Sequence, residues 1–152
     1  DRSLWDHDQI AQATMILRQP FASGDVGPYT CQAAIAAVHA EARDAADTNW
    51  PRIVELYDAL LRAAPSPIVE LNRAAAVAMR DGARAGLQLI DGLLGRGELR
   101  EYRFAHAARA DLCRRLGQIE EARSSYETAL TLTHQDAERR FLLGRIARLQ
   151  DP

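Results

Sequence analysis

The stretch LGQIEEARSSYETALTL, residues 116–132, contains the spacing that most constrains how this chain can fold. Ala122, Tyr126 and Ala129 follow one another at intervals of four and three residues, so they share one face of a helix. Two small side chains let another helix approach closely, and the aromatic ring fills the space beside them. A lone amphipathic helix more often carries leucine there. The stretch therefore predicts a helix that stacks closely on a neighbouring helix.

Glycine and proline divide the sequence at short intervals, and no segment shows the alternation typical of a strand. Asn49 and Ser66 are placed to cap helices that have proline near their first position. Gly82 and Gly117 suit the left-handed position that ends the fourth and sixth helices. The pattern predicts an all-α fold with helices over residues 6–19, 28–42, 50–63, 67–80, 83–94, 99–116, 119–131 and 135–149.

These helices pair into a repeat. Tetratricopeptide repeats have a period of about 34 residues, with small and aromatic residues where helices meet. Ala110, twelve residues before Ala122, completes that pattern, and a looser copy precedes it, formed by Ala74, Gly86, Ile90 and Leu93. We predict that residues 1–152 form one domain, a tetratricopeptide-like right-handed superhelical stack of about eight antiparallel helices. An irregular helical bundle is the alternative.

Composition limits the classes of function. The 19 basic residues, all of them arginine, nearly balance 21 acidic ones and leave a net charge of −2, which argues against nucleic acid as the main partner. No apolar run approaches the roughly 18 residues of a membrane helix, and the start of the chain does not resemble a signal peptide. Cys31 and Cys113 lack the spacing of a metal or redox motif and suit buried positions in a reducing compartment. A cytoplasmic location is expected.

Three longer stretches carry a family resemblance: GPYTCQAAIAAVHA (27–40), DTNWPRIVELYDALLRAAPSPIVELNRAAAVA (47–78) and HAARADLCRRLGQIEEARSSYETAL (106–130). They resemble the C-terminal extension of bacterial extracytoplasmic-function sigma factors, members of the sigma-70 family. In that group a tetratricopeptide-like tail follows two domains that bind promoter DNA and RNA polymerase. The resemblance implies that this chain is a fragment of a longer sigma factor and lacks both of those domains.

The same resemblance implies a regulatory protein-interaction module that acts in transcription initiation. Its implied partners are the promoter-binding domains of the sigma factor, with core RNA polymerase as a further candidate. DNA would be contacted only through the domains outside this chain, and no membrane partner is implied. The alternative is a free-standing tetratricopeptide adaptor that binds a peptide segment of another protein.

No arrangement of residues in the sequence predicts an enzyme. The Gly-Arg-Gly segment at residues 95–97 lacks the preceding strand and the lysine of a phosphate-binding loop, and Ser124 and Ser125 lack a nucleophile elbow. None of the histidines has a second ligand at metal-binding spacing; they are His7, His39, His106 and His134. We expect no catalytic residue, no cofactor and no metal.

The candidate partner-binding residues lie on the first helix of each pair. Asn72 and Arg73 fall on the fourth helix, and His106 and Arg109 fall on the sixth. In peptide-binding repeats an asparagine on this helix holds a peptide backbone or carboxylate, and an arginine adds a charge-assisted hydrogen bond.

The two arginines also have a structural interpretation, which is an ion pair with a nearby acid such as Glu70 or Asp111. Asp6 and Asp8 are candidates of a different kind. They begin the first helix, where acids favour the positive end of the dipole, and they belong to an acidic end that we expect to contact the sigma domains.

Overall fold

The computed structural model describes residues 6, 8–12, 14–16, 27–42, 44 and 46–149. No strand occurs among these residues, so the predicted all-α class is confirmed. Residues 8–12 and 14–16 are helical and are called α1. The remaining helices are α2 (Pro28–Glu41), α3 (Trp50–Ala63), α4 (Pro67–Arg80), α5 (Ala83–Gly95), α6 (Arg103–Arg115), α7 (Ile119–Thr131) and α8 (Asp136–Ala147).

The chain divides into two compact units, Asp1–Arg73 and Ala74–Pro152, and the boundary falls within α4. The prediction that residues 1–152 form a single domain stays a prediction. The end of the first predicted helix, residues 17–19, and the candidate ligand His7 lie outside the described residues.

The predicted start of the sixth helix, residue 99, is wrong. The helix begins at Arg103 because the backbone turns before it: Gly97 has φ 85° and Leu99 has φ 58°, both in the left-handed region. The Tyr102 N–H donates to the Leu99 carbonyl at 3.0 Å and closes this turn. Every other helix end within the described residues lies within two residues of its prediction.

Two of the predicted helix-end residues behave as expected. The Asn49 side chain accepts the Arg52 N–H at 3.1 Å and caps α3. Gly117 has φ 74° at the end of α6. Gly82 has a positive φ of 98° after α4, as predicted, but its ψ of 160° differs from the left-handed helical value. Gly82 also stands at the N-cap of α5.

In the first unit, α2 packs against α3. The buried residues are Cys31, Ala34 and Ile35 on α2 and Ile53, Val54, Leu56 and Leu60 on α3. The His39 ring meets the Trp50 ring edge-on with centroids 5.4 Å apart, where α3 begins. Both rings therefore help to join the two helices.

In the second unit, successive helices pack on one another, and the small–large–small pattern lies at their contacts. Ala110, Ala122 and Ala129 are completely buried, and the Tyr126 side chain is 2% exposed. Tyr126 packs with Ala110 of α6 and with Leu142 of α8, so it joins one helical hairpin to the next helix. The predicted helical-repeat character is confirmed at this contact.

The looser copy of the pattern is also at a close helix contact. Gly86 of α5 approaches α4 so closely that a Cβ placed on it would lie 2.8 Å from the Ala74 carbonyl oxygen. Ile90 is completely buried and Leu93 is 2% exposed. Gly86 therefore occupies the place that Ala122 occupies in the second copy, at a close contact with the neighbouring helix.

An arginine of α8 donates hydrogen bonds to backbone carbonyls at the C-terminal end of α7. The Arg139 guanidinium donates through Nη1 to the Leu130 and Thr133 carbonyls, each at 3.0 Å. The buried Thr133 hydroxyl donates to the Ala129 carbonyl at 2.7 Å. A cation at this position satisfies backbone acceptors that have no partner within the helix, and it complements the helix dipole.

Candidate protein-interaction surface

Arg73 of α4 is held by an acid of the preceding helix. Its Nε donates to Asp58 Oδ1 of α3 at 2.6 Å, and the two side chains are 28% and 40% exposed. The neighbouring Asn72 is exposed. The geometry thus supports the structural interpretation of Arg73, although the acid is Asp58 and not Glu70, and it leaves Asn72 accessible to a partner.

Arg109 of α6 joins three helices. Its Nε donates to Asp91 Oδ1 of α5 at 2.7 Å, and its Nη1 donates to Ser125 Oγ of α7 at 2.6 Å. The Ser125 side chain is buried. The expected acid, Asp111, pairs instead with Arg114 of the same helix at 2.8 Å. Arg109 is therefore engaged within the fold, and its guanidinium is directed at neighbouring helices.

His106 has a local role as well. Its Nε2 lies 2.7 Å from the Arg100 carbonyl oxygen, so the imidazole ties the turn before α6 to the helix itself. His106 and Arg109 belong to the second unit, whereas Asn72 and Arg73 belong to the first.

Asp6 and Asp8 differ in their roles at the start of α1. Asp6 Oδ1 accepts the N–H groups of Asp8 and Gln9 at 3.1 and 3.0 Å, and its Oδ2 accepts the Gln9 side-chain amide at 2.9 Å. Asp6 is therefore the N-cap of this helix. The Asp8 side chain is exposed and is the better candidate for contact with a partner.

Sequence reasoning missed a surface that α6 and α8 form together in the second unit. Arg103 donates to both carboxylate oxygens of Glu138, at 2.7 and 3.1 Å. Both residues lie in the first turn of their helices, so the ion pair links the N-terminal ends of α6 and α8. Phe104 follows Arg103 and is 46% exposed; Phe141 lies one turn after Glu138 and is 58% exposed.

Each of these phenylalanines carries an arginine on its ring. The Arg103 guanidinium carbon lies 4.3 Å from the Phe104 centroid, and that of Arg145 lies 5.1 Å from the Phe141 centroid. The Tyr102 ring adds an edge contact to Phe104 at 5.4 Å. We use the name α6–α8 face for the side chains of α6 and α8 that make these contacts, which are Arg103, Phe104, Glu138, Phe141 and Arg145.

Burial favours the neutral form of two titratable groups in the second unit, the Tyr126 hydroxyl and the Cys113 thiol. Burial raises the pKa of the Tyr126 hydroxyl above 10.0; Asp111 adds to the rise, and a hydrogen bond from Arg114 opposes it, as does the charge of Arg145. Burial likewise raises the pKa of the Cys113 thiol above 9.0. Neither a phenolate nor a reactive thiolate is favoured near neutral pH.

The part of the chain that the structure describes contains neither a metal-binding cluster nor a membrane-spanning helix. No group of three or more His, Cys, Asp or Glu side chains there could hold a metal ion. None of the helices in these residues has the length and apolar character needed to cross a membrane. The expectations of no enzyme activity and no cofactor stay predictions.

Comparison with known proteins gives one relative. No family model matches the chain. No solved structure matches it either. An uncharacterized protein of Rhizobium meliloti (strain 1021) is 39% identical over 142 residues, which cover 93% of this chain and 33% of the relative. The chain thus spans about a third of the length of the curated relative that it matches.

Proposed function

We propose that this chain is a non-enzymatic regulatory module of an extracytoplasmic-function sigma factor and acts through protein contacts during transcription initiation. The observation that carries the proposal is the resemblance of residues 27–40, 47–78 and 106–130 to the tail of that group. These stretches form α2, α3 with most of α4, and the α6–α7 hairpin, which are the parts of a helical-repeat fold. A cytoplasmic location belongs to the proposal.

The relative supports the view that the segment works within a longer polypeptide. In the Rhizobium protein the corresponding segment is a third of the whole. In the proposed arrangement the partners are the promoter-binding domains of the same sigma factor, and core RNA polymerase is a further candidate. DNA would then be reached only through those domains.

The positions of the candidate residues change which of them we propose to contact a partner. Arg73 and Arg109 are used by ion pairs between helices, and Asp6 is used as a helix cap. Asn72, Asp8 and the α6–α8 face remain the accessible elements. Protein contacts made by exposed aromatic and charged groups are the kind of function that this arrangement favours.

The second candidate function is a free-standing adaptor that binds a peptide segment. The observation that favours it is the exposure of Phe104 on α6 and of Phe141 on α8, since exposed aromatic groups are common anchors for peptides. Both functions can use the same face, so the surface itself does not discriminate between them.

The coding sequence upstream of Asp1 discriminates between the two. A reading frame that continues upstream into polymerase-binding helices and a helix-turn-helix motif is the result expected for a sigma factor. A start codon immediately before Asp1 would contradict the sigma-factor proposal and leave the adaptor.

A further inference from the structure

The small–large–small spacing that predicts helix stacking occurs once more in the second unit, on α8. Ala137, Phe141 and Gly144 follow one another at intervals of four and three residues, so they share one face of this helix. The same spacing relates the two sets already described on α5 and α7, which are Gly86, Ile90 and Leu93, and Ala122, Tyr126 and Ala129.

The set on α8 differs from the other two because it is exposed. The sets on α5 and α7 lie at buried helix contacts. On α8, Ala137 and Gly144 are exposed, Phe141 is 58% exposed, and a Cβ on Gly144 would meet nothing within 4 Å. The exposed side of a helix normally carries polar residues. α8 therefore has a stacking surface that no helix of the described residues covers.

This surface lies on the side of α8 away from the core. Leu142 is buried in the cluster around Tyr126, and the partly buried Ile146 packs against the same cluster. Helix periodicity places residues 137, 141, 144 and 148 on the other side. The Arg145 guanidinium lies 5.1 Å from the Phe141 centroid, beside this row. We call the following residues the outer row of α8: Ala137, Phe141, Gly144 and Arg148.

Opposite charges stand at the two ends of the outer row. Asp136 is exposed at the first position of α8, next to Ala137, and Arg148 is exposed just after the last position. Neither takes part in an ion pair between described residues. Arg140 and Arg145 flank the row on opposite sides, so an antiparallel copy of the helix does not place one opposite the other.

We propose that the outer row of α8 binds the outer row of a second copy of this chain, with the two helices antiparallel. Phe141 of each copy packs beside Gly144 of the other, as Tyr126 packs with Ala110 within the fold. In this register Arg148 of each copy lies opposite Ala137 of the other, within reach of the neighbouring Asp136. The twofold axis makes both contacts twice.

Two features select a second copy as the occupant. The outer row supplies both halves of the contact, an aromatic side chain and the small residue that accommodates it, at positions that a twofold axis exchanges. Its end charges are complementary to those of an antiparallel copy, whereas a parallel copy would bring like charges together. Neither feature is required for binding a helix of a different protein.

The dimer that this contact forms is weak. One pair of helices buries less than the roughly 1,200 Å² of a stable protein interface. The inference goes beyond the proposed function, and it holds equally for a sigma-factor module and for an adaptor.

Sedimentation velocity of the 152-residue chain, from about 5 µM to about 1 mM, tests the inference. We expect the sedimentation coefficient to rise with concentration from the value of a monomer to that of a dimer. Gly144→Gln fills the close contact and should weaken dimerisation by at least about tenfold. Gly92→Gln is the matched control, because Gly92 is an exposed glycine of α5 where a Cβ likewise meets nothing within 4 Å.

A second pair of variants tests the aromatic contact. Phe141→Ser removes the ring that packs beside Gly144 and should also weaken dimerisation by about tenfold. Leu89→Ser, at a position of α5 that is 38% exposed, is its control and should dimerise like the unmodified chain.

An exchange of charges tests the antiparallel orientation. Asp136→Arg and Arg148→Asp each bring like charges together at both ends, so each should weaken dimerisation by roughly three- to tenfold. The variant that carries both changes restores opposite charges and should dimerise like the unmodified chain. Circular dichroism spectra equal to that of the unmodified chain will show that the variants are folded.

Three outcomes would overturn the inference. The first is a monomer at every concentration, which would leave the outer row to a helix of a different protein. The second is dimerisation that Gly144→Gln leaves intact, or that Gly92→Gln weakens equally. The third is no recovery of dimerisation in the variant with exchanged charges. None of these outcomes depends on transcription, so the sigma-factor role stands or fails separately.

Discussion

Gly86 of α5 packs its backbone directly on the Ala78 methyl group of α4, and a Cβ on this glycine would overlap that methyl group. The same Cβ would lie 2.8 Å from the Ala74 carbonyl oxygen, which belongs to the backbone and cannot rotate away. The absence of a side chain at residue 86 therefore sets how closely these two helices approach. It explains why a glycine stands where the other copy of the repeat has Ala122.

The first prediction is that Gly86→Ala destabilises the chain by about 1–3 kcal/mol, because the added methyl group forces α4 and α5 apart. Gly92→Ala in the same helix is the matched control, since a Cβ there meets nothing within 4 Å. The control should be stabilising by roughly 0.5–1 kcal/mol through its better helix propensity. Urea unfolding measures both, and equal free energies for the two variants would contradict the close approach.

The second prediction concerns the ion pair between Arg109 and Asp91. Arg109→Ala should cost about 1–2 kcal/mol, because it removes the bond to Asp91 together with the donor to the buried Ser125 hydroxyl. Arg52→Ala breaks an exposed pair with Glu55 within α3 and should cost no more than about 0.5 kcal/mol.

A double-mutant cycle of Arg109→Ala and Asp91→Ala isolates the pair itself. Its coupling energy should be about 0.5–1 kcal/mol and should decrease as salt is added, since both side chains are partly exposed. A coupling energy of zero would mean that the contact does not join α5 to α6 in solution.

The third prediction is a loss of stability at alkaline pH. Burial raises the pKa of Cys113 above 9.0 and that of Tyr126 above 10.0 in the folded chain. The folded state therefore holds these protons more tightly than the unfolded state. The resulting stability is fully present below pH 9 and is lost as the pH rises through the folded pKa values.

Urea unfolding in the presence of a reductant, measured from pH 7 to about pH 11, tests this directly. Tyr126→Phe should reduce the slope of the profile above about pH 10, whatever its effect on stability at neutral pH. Part of the slope should remain, because burial also raises the pKa of Tyr57. Tyr29→Phe, at a position that is 86% exposed, is the control and should keep the original profile. A flat profile in the unmodified chain would mean that the burial of these groups is not maintained in solution.

The fourth prediction separates the two acids at the start of α1. Asp8→Arg should weaken binding between the separately expressed chain and the sigma domains, and added salt should have the same effect. Asp6→Arg would also remove the N-cap bonds to Asp8 and Gln9, so Asp6→Asn, which can still cap, is the informative change there. Surface plasmon resonance that shows no change for either variant would exclude the acidic end as a contact.

Most helices could be predicted from local sequence, because proline, asparagine and glycine act on the few residues beside them. Asn49 and Gly117 are examples. The turn at residues 96–101 could not be predicted from local sequence, since Leu99 adopts a positive φ that its side chain disfavours. Its conformation depends on what surrounds it and is not indicated by its own identity.

The partners of the candidate residues were harder to predict than the helices. The pattern places Arg73 and Arg109 on the first helix of each pair, but the acids they bind, Asp58 and Asp91, come from preceding helices. Sequence neighbours are no guide to contacts made between helices. The exposure of Phe141 depends in the same way on where α6 lies beside α8, and an apolar residue next to the core residue Leu142 gave no separate signal.

The central claim is that this segment regulates a sigma factor without acting as an enzyme. The most direct test is the transcript level from a promoter of the full-length protein, compared between cells that carry the intact gene and cells whose gene lacks the codons for residues 1–152. Immunoblotting will establish equal amounts of the two proteins. The account predicts a change in transcript level of severalfold or more with the truncated protein, because the regulatory contacts are lost while the promoter-binding domains remain. Equal transcript levels at equal protein amounts would contradict it.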